Sequence, residues 1–202
     1  MKRSVLLSLL TIPLCAPVAS AAPQTSQSTQ AVSASQRPKW TEADKKTLLA
    51  RAQHGEADAQ FWLGAGYEQG WFGKPDFQEA MKWLQRAAKH GNPDAQTTLG
   101  QMYEDGEGVP KNYLLAAQWY RKAAKHVPNL GGAGQGRNNL GLLYLQGLGV
   151  PKDCVQAYMW FSVAGVESNV AAAQEEMNPE QILKARQLTE RWKKQHPDPA
   201  IK

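Results

Sequence analysis

The chain has 202 residues, of which 42% are hydrophobic and 20% charged, and a formal net charge of +5; this length admits one or two domains. The positive balance is modest, and its Lys and Arg residues are scattered along the chain. That excludes the clustered basic face of a nucleic-acid binder and fits solvated helix surfaces.

The first element in chain order is an address. Lys2-Arg3 is a positive n-region, Val5 to Leu14 a short apolar h-region, and Ala19-Ser20-Ala21 a small-residue cleavage motif,. Residues 1–21 are expected to be a signal peptide cut after Ala21, leaving a charge of +3 and a periplasmic or secreted protein. Ile12-Pro13-Leu14 lack the small residues that lipid attachment at Cys15 needs. No later segment is apolar enough to span a bilayer, so no membrane span is expected. After cleavage only Cys154 remains, and one thiol forms no internal bridge,. Residues 22–39 are rich in Gln, Ser, Thr, Ala and Pro without apolar periodicity, the composition of a disordered linker,.

Folding is expected from Trp40. Thr41-x-x-Asp44 outlines a capping box for a leading helix over 40–55,. Leu48, Ala52 and His54 precede Leu84, Ala88 and His90 by 36 residues, so this helix is the second half of a truncated leading unit.

A repeat then governs the chain. Leu63-Gly64-x-x-Tyr67 returns as Leu99-Gly100-x-x-Tyr103 and Leu140-Gly141-x-x-Tyr144, in steps of 36 and 41 residues. Ala80-x-x-Trp83 returns as Ala116-x-x-Trp119 and Ala157-x-x-Trp160. The apolar spacing predicts two helices per repeat, A and B, each with one buried stripe. A glycine in mid-helix costs about 1 kcal/mol against alanine, so its return predicts close approach of two helices. Between the helices, Gly106-Glu107-Gly108-Val109-Pro110 and Gly147-Leu148-Gly149-Val150-Pro151 predict a turn that stops helix A,. A phosphate-cradling loop would need a strand before it, and a helix precedes it. Asp76-x-x-Glu79 and Asp153-x-x-Gln156 outline caps for helix B,.

Units of this length cannot bury their apolar faces alone and must stack. The boundaries expected are repeat one at 56–92, repeat two at 93–133, repeat three at 134–167 and a C-terminal cap at 168–196, all within one body spanning 40–196. In the cap, Asn178-Pro179-Glu180-Gln181 starts a last helix with Ile182, Ala185, Leu188 and Trp192 on one face,.

The motif Ala95-Gln96-x-x-Leu99-Gly100-x-x-Tyr103-x-x-Gly106-x-Gly108-Val109, followed by Ala116-x-x-Trp119-x-x-x-Ala123-Ala124, resembles the Sel-one-like repeat (SLR) family, relatives of the tetratricopeptide repeats. The resemblance covers about residues 40 to 195. It implies an all-α fold, a right-handed α-solenoid of helix-turn-helix repeats whose A helices line the concave side. It also implies protein–protein binding.

Residues that depart from the repeat are the candidates for recognition. Repeat one carries four aromatics, Phe61, Trp62, Trp71 and Phe72, which either bury against the leading helix or form an exposed anchor; Trp62 and Trp71 are the candidates for exposure. Asn129-Leu130-Gly131-Gly132-Ala133-Gly134-Gln135-Gly136 holds the five extra residues, either a mobile binding loop or a tolerated lengthening,. Along the expected concave side, Trp62, Thr98 and Asn139 are followed by Ala65, Gln101 and Leu142, then by Asp105 and Gln146. The partner-binding set expected is Trp62, Trp71, Phe72, Gln101, Asp105, Asn139 and Leu142.

His54, His90 and His126 recur at 36 residues. Stacked units hold equivalent positions about 10 Å apart per helix layer, so these histidines cannot converge on one metal, and helix C-termini suit them better. No Cys-x-x-Cys, His-Glu-x-x-His, Gly-x-Ser-x-Gly or Ser-x-x-Lys is present,. No catalytic residue, metal or cofactor is expected. The resemblance implies a non-catalytic adaptor, regulator or inhibitor of the cell envelope, monomeric, with a protein partner and no nucleic acid. It also admits a periplasmic immunity protein that neutralises a secreted toxin. More remotely, it admits a β-lactam-binding or hydrolysing enzyme, although that branch carries a disulfide in each repeat and this chain lacks those cysteines.

Overall fold

The protein is described by a computed structural model over residues 41–127 and 131–197. The expected signal peptide and linker, Trp40, Asn129 and Leu130 lie outside the described residues. Among the described residues the structure consists of helices α1 (Glu42–Gln53), α2 (Ala57–Glu68), α3 (Phe77–Lys89), α4 (Pro93–Asp105), α5 (Tyr113–Ala123), α6 (Gly132–Gln146), α7 (Cys154–Ala164), α8 (Glu167–Glu175) and α9 (Pro179–Gln195), with no strand.

Local chemistry sets the helix starts. Thr41 and Asp44 form the reciprocal capping box expected at α1, and Asn178 and Gln181 form one at α9,. Asp76 accepts the backbone N–H groups of Gln78 and Glu79, and Asp153 accepts that of Gln156. Asn92 and Asn112 do the same for α4 and α5. Each satisfies a donor that the first helical turn leaves free.

The A helices α2, α4 and α6 pair with the B helices α3, α5 and α7 as hairpins, and each hairpin packs on the next. The recurring mid-helix glycine makes that pairing close. A Cβ on Gly64 would lie 2.7 Å from the Leu84 side chain, one on Gly100 2.3 Å from the Tyr120 ring, and one on Gly141 2.5 Å from the Phe161 ring. The B helix thus drops a large side chain onto a bare backbone three times over, and the packing gained offsets the propensity lost.

Successive hairpins are locked by a polar ladder. Gln60 Nε2 donates to the Ala52 carbonyl at 3.0 Å, while its Oε1 meets His90 Nδ1 at 2.9 Å. Gln96 repeats this with the Ala88 carbonyl at 3.1 Å and His126 Nε2 at 3.2 Å. In the third repeat Arg137 takes the glutamine's place and donates to the carbonyls of Ala124 and His126. The histidines therefore sit at or just after the ends of α1, α3 and α5, and His90 and His126 hold the ladder together. Arg137 is fully buried and stacks 4.7 Å from the centre of the Trp192 ring, which ties α9 to the third repeat,.

One sequence alternative is corrected. The glycine-rich stretch is not a free loop over residues 132–136, because they are the start of α6. Gly132 presses on α4 so closely that a Cβ would stand 2.4 Å from Asp94 Cα, and Thr97 Oγ1 donates to the Gly132 carbonyl at 2.7 Å. Cys154 is buried at the start of α7.

Candidate interaction surface

In an A helix the glycine that meets helix B defines one side, and 3.6 residues per turn define the other. Asp58, Trp62, Ala65 and Gln69 share the side of α2 opposite Gly64, at the spacing i, i+4, i+7, i+11,. The equivalent row on α4 is Asp94, Thr98, Gln101 and Asp105, and on α6 it is Gln135, Asn139, Leu142 and Gln146. This open face is where the expected recognition residues should gather, and the structure divides them.

Trp62 is on the open face and 46% exposed, the largest exposed side chain among the described hydrophobics. Its ring stacks on Trp71 at a centroid distance of 6.2 Å and an interplanar angle of 28°, and Phe61 supports it at 5.0 Å. Gln101 is half-buried and Asp105 exposed on the same row of α4. The other three lie inside. Asn139 is 3% exposed and Leu142 8% exposed. Leu142 packs in one cluster with Val170 and Ala173 of α8 and with Ala185 of α9. Asn138, beside them, accepts a hydrogen bond from Asn169 of α8 at 2.7 Å. The open face therefore ends at α6, because α8 lies against it.

Phe72 also turns inward. Gly66 stands where the later repeats have Met102 and Leu143, both core residues. The Phe72 ring fills that space, approaching to 2.3 Å of where a Gly66 Cβ would be, and meets Tyr67 edge-on at 5.4 Å. The aberrant loop of repeat one thus replaces a missing core side chain and leaves Trp71 beside Trp62. The valines of the two regular loops, Val109 and Val150, pack against the core.

Two carboxylates lie on the other side of the A helices, one turn after the glycines that meet helix B,. Glu68, at the end of α2, is pushed up to about 7, first by burial and then by Glu107, which the next repeat's loop sets near it,. Glu104 is raised by burial, partly opposed by a 2.6 Å hydrogen bond donated by the Tyr120 hydroxyl. Tyr120 is held protonated by its own burial and by the Glu104 charge. On the ladder side, burial and secondarily the Arg137 guanidinium lower His126, and burial lowers Arg137 to about 10. Among the described residues no group of three or more His, Cys, Asp or Glu side chains is placed to hold a metal ion.

Stacked hairpins whose A and B helices meet at Gly64, Gly100 and Gly141 define an α-solenoid. The chain belongs to the Sel1 repeat family, whose profile matches residues 57–92, 93–126 and 134–165. Sel1 repeat proteins generally mediate protein–protein interactions and generally lack catalytic function. Two of the solved structures similar to it illustrate the likeness. One is c5321, described as a protective antigen of uropathogenic Escherichia coli with an SLR fold, at 30% identity and a TM-score of 0.70 over 81% of this chain. The present chain spans 35% of that longer protein. The other is a Sel1 repeat protein from Oxalobacter formigenes, at 33% identity and a TM-score of 0.53, covering 71% of this chain and 98% of that one. A comparison with curated proteins returned no match.

Proposed function

We propose that this chain is a non-catalytic protein-interaction module of the bacterial cell envelope, acting as an adaptor, regulator or inhibitor, and that its partner docks on the open face of α2 and α4. One observation carries this reading: the 46% exposure of Trp62, stacked on Trp71, on a row where the next repeats place Thr98 and the buried Asn139. Nothing in the core requires a tryptophan there, and a half-exposed tryptophan over a second ring is the arrangement that gives most binding energy per residue at protein interfaces.

The test is affinity capture from envelope extract by immobilised protein, read by mass spectrometry. The wild type is expected to retain a defined protein partner, and the Trp62→Ala/Trp71→Ala double variant to lose it by at least about thirtyfold. Equal retention by the two proteins overturns the reading. Far-UV circular dichroism of the variant, expected to match the wild type, checks that the loss is not unfolding. No helix among the described residues is long and apolar enough to cross a membrane. Export rests on the leader pattern at residues 2–21,. It predicts a native N-terminus at Ala22 in intact-mass measurement, and a chain still carrying Met1 would contradict it.

A further inference from the structure

The charges that look scattered along the chain are sorted by helix. The A helices and α8 carry Asp58, Glu68, Asp94, Glu104, Asp105, Glu167 and Glu175 against a single cation, Arg137, which is fully buried. The B helices α3 and α5 carry Lys82, Arg86, Lys89, Arg121 and Lys122 against Glu79 alone. Helix α9 adds five more cations, from Lys184 to Lys194. A protein of net charge +5 thus presents a negative open face and a positive back.

The open-face carboxylates are not neutralised from within. Among the described residues no ion pair within 4 Å involves Asp58, Asp94, Asp105 or Glu107. Lys111 reaches Asp105, and Arg51 reaches Asp58, only as a through-space charge. Asp58 lies one turn before Trp62 on the same face, and Asp105 ends the corresponding row of α4,. Glu68 and Glu107 stand at the seam between the two repeats. A cation laid over the Trp62 ring would have Asp58 one turn away on the same face,, and a guanidinium suits both contacts because it stacks on aromatic faces and forks onto carboxylates.

Resting on the proposed function, we infer that the open face receives a basic polypeptide segment, with an arginine over Trp62 and its neighbouring basic side chains among Asp58, Asp105 and Glu107. A nucleic acid or an anionic bilayer is repelled by this face, and an acidic partner would go to the B helices instead.

The test uses three tryptophan-free peptides of equal length with blocked ends, alternating Ala with Arg, Gln or Glu, titrated into the purified protein and followed by tryptophan fluorescence. The Arg peptide is expected to bind at low ionic strength, to weaken at least about tenfold in roughly 0.3 M salt, and to lose at least about tenfold in the Asp58→Asn/Asp105→Asn/Glu107→Gln variant. The Gln and Glu peptides should bind at least about tenfold more weakly than it does. Because the whole protein is positive, bulk attraction would favour the Glu peptide, so preference for Arg reports the open face. Equal binding of the three peptides, no binding of the Arg peptide, or unchanged binding by the triple variant overturns the inference. The same variant in the envelope capture separates the two readings. A partner lost with Trp62→Ala/Trp71→Ala but kept by the charge variant retires the basic segment and leaves the docking face standing. A partner kept by both retires the face itself.

Discussion

Gly149→Ala is expected to cost about 3–5 kcal/mol, the strain of a left-handed alanine added to an overpacked contact. Two independent demands meet at this residue. Its φ is +66°, a region that side-chain-bearing residues rarely adopt,. A Cβ there would also lie 2.2 Å from the Tyr113 carbonyl carbon and 2.4 Å from Leu114 N, so it would strike backbone at the start of α5. A helix start held by the Asn112 cap has no rotamer to give. Relief comes only if the loop of repeat three lifts away, taking Leu148 and Val150 off the core they pack against. The internal standard is Gly165→Ala. Gly165 has a φ of +77° but open space around its Cβ position, so that variant should cost only about 1 kcal/mol, the conformational part alone,. Gly108→Ala falls between, since its Cβ would meet Phe77 Cβ at 2.5 Å and backbone only at 3.3 Å. Urea denaturation followed by circular dichroism ranks the three. Equal losses would mean that the loop is held by φ alone and that its seat on the preceding B helix contributes nothing.

That seat shows what a sequence discloses and what it withholds. Motifs whose meaning is local were legible: the caps at Thr41 and Asn178, the turn glycines, the alternation of A and B helices. The mid-helix glycines were also legible, because a costly residue that returns three times implies a partner, and Leu84, Tyr120 and Phe161 are those partners. The recognition residues were only half legible. Asn139 and Leu142 occupy the same register as Trp62 and Ala65, so periodicity assigns them to the same face. The burial of Leu142 is decided by α8, which keeps only Ala173-Gln174 of the repeat motif and docks through Val170, Ala173 and Asn169, while Asn139 is turned toward Tyr120 of α5. Phe72 was misplaced although a signal existed: Gly66 occupies the register of Met102 and Leu143, and a missing core side chain has to be replaced from elsewhere. The glycine-rich stretch reads as loop because glycine is a poor helix former. There the tertiary contact with Asp94 overrides propensity, since only glycine lets α6 come so near α4. The charge sorting escapes a linear reading altogether, because successive A and B helices alternate its sign and average it away.

Raising the pH from 5 to 8 is expected to destabilise the protein by up to about 3 kcal/mol through Glu68, most of it lost before pH 7.5. The sign follows from the two states. In the unfolded chain a glutamate titrates near 4.5, while in the folded protein Glu68 titrates near 7 because it is buried and Glu107 faces it across the repeat seam. Between those values the folded state holds a proton that the unfolded state has released. Stability therefore falls as the pH rises through this window and levels off above it. Glu104, raised by burial in the same sense, adds to the slope, and the Tyr120 hydroxyl limits its share. Glu68→Gln keeps the shape and removes the charge. It should flatten most of the fall and at pH 8 raise the midpoint of thermal unfolding by several degrees, about 3 °C for each kcal/mol in a chain of this size. Glu107→Gln should recover only the smaller part, because burial and not repulsion is the leading cause at Glu68. A wild-type protein equally stable at pH 5 and pH 8, or a Glu68→Gln variant with the wild-type slope, would show that the Glu68 carboxylate is solvated at the seam, and that the two repeats meet there less closely than their packing implies.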